Sequence, residues 1–129
     1  MAKSSSQSGK GRQGATVTEF EALCLSAAIE APVAYATVRF ARWPCRGPLY
    51  AAAASALATA LTHPLLWALA LWAYDRMPAW QALLGLEALV VLAEAVPIAW
   101  IARLRWRQAI LVSLLANAAS FLSGLLITG

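Results

Sequence analysis

The sequence predicts an all-α membrane protein of four transmembrane helices, arranged as two tandem helical hairpins. Three observations predict it. Hydrophobic residues make up 61% of the 129 and charged residues only 12%, where a soluble domain is nearer half apolar and a quarter charged. The charges gather at the ends and turns of long apolar runs, which is the pattern of a chain solvated by lipid. The apolar runs carry no charged face of the kind a soluble helical bundle needs, and mean hydropathy is +0.65.

Residues 1–14 are rich in Ser, Gly, Gln, Lys and Arg and hold no periodic apolar residues. Such a stretch buries too little surface to offset its ordering entropy, so a disordered basic tail is expected, followed by one transmembrane domain over 15–129. A secretory signal ending at Ala34-Tyr35-Ala36 is the competing reading. Glu21 and Glu30 oppose it, because acids are out of place in a signal's apolar core.

The spans are expected at about 18–40, 49–74, 79–102 and 108–128, each long enough to cross a hydrocarbon core. In the first, Glu19 and Glu21 suit the helix start, and Pro32 predicts a kink near Glu30. Trp43-Pro44-Cys45-Arg46-Gly47-Pro48 reads as a turn. The second span opens on an alanine-rich surface suited to close packing and continues through Ser55, Thr59, Thr62, His63 and Pro64. A short Asp75-Arg76-Met77-Pro78 connection precedes the third, and the fourth follows a basic turn at Arg103, Arg105 and Arg107.

Six arginines lie in the turns after spans one and three, against Lys3, Lys10, Arg12 and Arg76 on the other side. This majority places both hairpin turns inside and both termini outside. Trp43, Tyr50, Trp100 and Trp106 mark one interface, and Trp72, Tyr74 and Trp80 the other. The net charge of +4 does not indicate nucleic acid, because the basic residues form clusters beside spans and no continuous stripe. Cys24 and Cys45 lack CxxC spacing and sit at different depths, so a disulfide is not expected.

The two halves repeat one another. Glu30, followed by Pro32, and Glu94, followed by Pro97, each precede an arginine by nine residues, Arg39 and Arg103. In the second arms, Ser55, Ala58, Thr59 and Thr62 align with Ser113, Ala116, Asn117 and Ser120, on one helix face in each. A parallel repeat about the membrane normal follows. It places Glu30 and Glu94 at equal depth, each opposite a hydroxyl or amide of its partner helix. A protonated carboxyl there can donate to Ser, Thr or Asn, which meets its need for a partner in lipid.

Intramembrane acids mark ion or proton paths by default. Glu30, Glu94 and Glu87 are therefore the candidate ion- or proton-binding residues, with Glu87 two turns from Glu94 on one face. The supporting polar set is His63, Ser55, Thr59, Thr62, Ser113, Asn117 and Ser120. The plainer readings are interhelical hydrogen bonding for Glu30 and Glu94, snorkelling for Glu87, and helix-packing contacts for the stripe of Ser113, Asn117, Ser120 and Gly124. His63 is expected to bond a carbonyl freed by Pro64; a metal set with Glu30 and Glu94 has no motif behind it. No nucleophile arrangement, phosphate loop or dinucleotide fingerprint is present, so neither an enzyme nor a cofactor is expected.

Glu30-x-Pro32, Thr62-His63-Pro64-Leu65-Leu66-Trp67, Glu87-x6-Glu94 and Ser113-x3-Asn117-x2-Ser120-x3-Gly124 together resemble small four-span bacterial membrane proteins of uncharacterised function. The resemblance covers most of the chain after Glu30 and implies an inner-membrane location without a transferable activity. By size and span count the chain is also similar to small multidrug resistance transporters, which use one acid in their first span. It departs from them in carrying acids in two spans and a basic tail. The expected function is proton-linked or cation transport, with a membrane subunit or assembly factor bound to a partner protein as the alternative. Homo-oligomerisation is expected on the same ground, since four helices enclose little room.

Overall fold

The computed structural model describes residues 17–129; the expected tail at 1–14 lies outside them. The chain forms α1 (Glu19–Ala41), α2 (Pro48–Tyr74), α3 (Ala79–Ala102) and α4 (Trp106–Thr128). No strand occurs among the described residues. All four helices are long and apolar enough to cross a membrane. The shortest of them, 23 residues, reaches about 35 Å, against a hydrocarbon core of about 30 Å. This is a multi-pass membrane protein.

Local chemistry sets the helix ends. Thr18 caps α1: its hydroxyl accepts from the Glu21 amide at 3.2 Å, and the Glu21 carboxylate accepts from the Thr18 amide at 2.9 Å, a reciprocal capping box. Pro48 occupies the first turn of α2, where its missing N–H costs nothing. Arg42 and Arg103 end α1 and α3 in left-handed backbone, at φ 53° and 54°. The residue that closes α1 is thus Arg42, three past the Arg39 that the repeat aligned with Arg103. The turn before α4 is likewise shorter than expected, with the helix starting at Trp106 and the Gln108 side chain accepting from the Arg105 amide at 3.0 Å. Pro32, Pro64 and Pro97 lie inside helices that continue through them.

Each helix packs on its neighbours in sequence, and α4 closes the ring on α1. The first connection also reaches across, with the Arg46 amide donating to the Ala102 carbonyl at 2.9 Å at the end of α3. The apolar core lies at this arginine-bearing end: Ala34 and Val38, Ala51 and Ala54, Ile98 and Ala102, Ala109 and Val112 are all buried there. Small side chains let the backbones approach closely, the usual basis of helix association in lipid. The outward faces carry Phe40, Trp100 and Leu126, each more than 80% exposed. Large apolar groups outside and Glu30, Glu94, Ser55, Thr59, Ser113 and Asn117 inside invert the order of a soluble protein.

Candidate functional site

Beyond that core, toward the other end of the bundle, the four helices part around a cavity of about 310 Å³. Helical periodicity brings the polar residues to it. Glu30 sits one turn before Ala34 on the buried face of α1, and Glu94 one turn before Ile98 on α3. On α2, Ser55 and Thr59 continue the buried alanine face, as Ser113 and Asn117 do on α4. Where packing ends, the acids begin.

The two acids occupy diagonal helices of the ring, and each meets polar groups of α2 and α4. Glu94 Oε1 accepts from the Thr62 hydroxyl at 2.8 Å, and Oε2 accepts from the Asn117 amide at 2.6 Å. Asn117 is held in place by further bonds to the Ser113 carbonyl at 2.9 Å and the Ser113 hydroxyl at 3.3 Å. Glu30 pairs with Thr59, whose hydroxyl also contacts the Ser55 carbonyl at 3.0 Å. Ser120 of α4 lies within reach of Glu30 and donates to Ser26 Oγ at 3.1 Å. The repeat therefore appears in the contacts: Thr59 and Asn117 serve the acid of their own hairpin, Thr62 and Ser120 that of the other.

Both oxygens of Glu94 receive a donor, one from α2 and one from α4. At Glu30 the Thr59 hydroxyl donates while also contacting the Ser55 carbonyl, and Ser120 adds a second polar group. The two carboxyls lie within electrostatic reach of one another. The acids are alike in meeting both α2 and α4 and differ in the groups they meet, an amide and a hydroxyl at Glu94 and hydroxyls alone at Glu30.

The other expected residues divide. Glu87 is half-buried and lines the cavity, where the plainer reading placed it snorkelling at the interface. His63 also lines the cavity but does not bond a carbonyl freed by Pro64. Its ring turns toward Trp67 one turn on, at 6.2 Å between centroids, and its buried Nε2 has no hydrogen-bond partner among the described residues. Among them the Ser55 hydroxyl is also without a partner, so Ser55 contributes its carbonyl there and not its side chain. Among the described residues no three His, Cys, Asp or Glu side chains gather closely enough to hold a metal ion. Cys24 and Cys45 are free.

Sequence reasoning missed Ser26. It lies one turn before Glu30 on the same face of α1 and lines the cavity, so the spacing that selected Glu30 also reaches it. The stripe of Ser113, Asn117 and Ser120 faces inward and makes its hydrogen bonds within the chain. Compared with known proteins, the chain matches no family model, no curated protein and no solved structure.

Proposed function

We propose that this chain is a small transporter of the bacterial inner membrane that moves protons or other cations by way of Glu30 and Glu94. One observation carries the reading: two acids from two hairpins face a single cavity, each held by polar groups of α2 and α4. Burying carboxyls in a bundle is costly and is compensated only by partners, so an acid pair kept inside the membrane calls for a use of its charge. Two carboxyls within electrostatic reach of one another give the site a place to bind a proton beside a place to pair a cation. The tight core at the arginine end then acts as the closed side. With the arginines in the cytoplasm, the cavity opens outward.

The test is proton uptake by liposomes holding the full chain, Glu30→Gln or Glu94→Gln. A glutamine at either position keeps an acceptor and a donor for its neighbours and removes the ionisable group. The expected result is uptake in the wild type that each variant loses while remaining helical and monodisperse. Wild-type vesicles as tight as empty ones would sink the proposal. The second reading, a membrane subunit that docks a partner helix on the polar stripe, has less support because that stripe is engaged inside the bundle.

A further inference from the structure

We infer that the hollow at the first arginine turn, between the end of α1 and the start of α2, binds the phosphate of an anionic phospholipid through Arg39 and Arg42. It lies at the opposite end of the bundle from the acid-lined cavity, and the inference goes beyond the transport reading without resting on it.

The hollow holds about 290 Å³ and is lined by Arg39 and Arg42 from the end of α1 and by Gly47 and Pro48 at the start of α2. The rest of its lining is fixed to the core. Val38 belongs to the buried core cluster, and Trp43 and Cys45 pack against it. The connection is also pinned to α3, where the Arg46 amide donates to the Ala102 carbonyl. The walls are thus in place before a ligand arrives, which lowers the ordering cost of binding.

The charge in this hollow finds no acid in the chain. No Asp or Glu occurs between Glu30 and Asp75 or after Glu94, and Glu30 lies nine residues before Arg39, about 13 Å along α1. Arg39 and Arg42 are three residues apart, a spacing at which like charges repel. Arg46 is engaged elsewhere, with its guanidinium 4.4 Å over the Tyr50 ring. Topology and the negative end of the α1 dipole account for arginines in this turn, but neither calls for two of them around one hollow. An anion does. Guanidinium forks match phosphate oxygens, and the start of α2, which has no side-chain cap, adds the positive end of its dipole. The source is a lipid, because the turn joins two spans at the depth where headgroups lie. Phe40 and Leu49 beside it are 83% and 73% exposed and offer apolar surface to acyl chains. A lipid of net negative charge is preferred, since the arginines of both turns at this end face no carboxylate.

The full chain in micelles of a nonionic detergent, titrated with dioleoylphosphatidylglycerol or dioleoylphosphatidylcholine and followed by native mass spectrometry, tests this. The expected result is one phosphatidylglycerol bound saturably, about tenfold or more tighter than phosphatidylcholine. Arg39→Gln combined with Arg42→Gln lowers its affinity to the phosphatidylcholine level, and each single substitution weakens it several-fold. Arg105→Gln combined with Arg107→Gln removes the same charge from the other turn and keeps the preference. Inorganic phosphate displaces the lipid no better than sodium chloride of equal ionic strength. Equal affinity for the two lipids would overturn the site, because no headgroup would then be recognised. Equal losses in the two double variants would overturn it too, leaving only the general attraction of a basic surface. Displacement by phosphate beyond that of chloride would overturn the lipid as source and leave a free anion. Where the Arg39 and Arg42 double variant loses its helical content, the single variants decide. Proton uptake does not enter this test, so the transport reading stands or falls separately.

Discussion

The two hairpins bury the same positions and treat their acids differently. Ala34 and Val38 of the first correspond to Ile98 and Ala102 of the second. Ala51, Ala54 and Ala58 correspond to Ala109, Val112 and Ala116, and every one of these is buried. Below that shared scaffold the partners diverge: Glu30 faces the single proton of Thr59, whereas Glu94 faces the two-proton amide of Asn117. The packing pattern is common because any two helices that must approach in lipid need small, matched surfaces. The polar partner is free to differ, and one substitution there changes the kind of donor the acid meets. A repeated frame can thus carry two unlike sites.

The largest effect is expected where the frames differ in volume. Ile98 is fully buried, while its counterpart Ala34 is already small. Ile98→Ala should cost about 2–5 kcal/mol in the cavity it leaves, measured by unfolding in mixed micelles. Both side chains belong to one core cluster, so adding Ala34→Ile should return part of that loss. A double variant no more stable than Ile98→Ala alone would show that the two positions do not share a space.

The next effect sharpens the contrast between the acids. Glu94→Ala removes an acceptor from both the Thr62 hydroxyl and the Asn117 amide and should cost about 1–2 kcal/mol, the upper range for an interhelical hydrogen bond in lipid. Glu30→Ala leaves Thr59 with the Ser55 carbonyl as its acceptor, so its cost, read by unfolding in mixed micelles, should be the smaller of the two. A larger loss in Glu30→Ala would show that the first acid is held by more than its Thr59 contact.

Much of this was legible in the sequence because apolar run length and polar spacing are local signals. Four spans follow from runs of 20 or more residues, and the facing of Glu94 on Asn117 follows from two helical registers joined by a short turn. What the sequence did not reveal depends on three-dimensional direction. The His63 ring turns to Trp67 and not to a carbonyl, since its χ angles answer to neighbours that the sequence does not place. Ser26 was passed over because a serine four residues from an acid is common. The end of α1 at Arg42 was hidden because one left-handed residue can fall at any of several arginines. The sharing of the Thr59 hydroxyl between Glu30 and the Ser55 carbonyl was also hidden, because backbone acceptors leave no mark in a residue pattern.

The smallest effect tests whether the frame really is shared. Arg42 and Arg103 close their helices at nearly the same positive φ, a conformation that crowds a Cβ against the following carbonyl and that glycine adopts freely. Each backbone amide also completes its helix, Arg42 to the Val38 carbonyl at 3.2 Å and Arg103 to that of Ala99. Replacing either arginine by glycine relieves the crowding and keeps the amide. The unfolded chain gains freedom in exchange, so the net stabilisation should be small, on the order of 0.5–1 kcal/mol, and equal at the two sites. Guanidinium contacts with headgroups would appear as an offset on one side only. Equal gains for Arg42→Gly and Arg103→Gly in micelles of a nonionic detergent, where anionic headgroups are absent, would mark the two turns as equivalent despite their unequal lengths. A gain at one and a loss at the other would confine the repeat to the buried faces, leaving each turn with a conformation imposed by its own sequence.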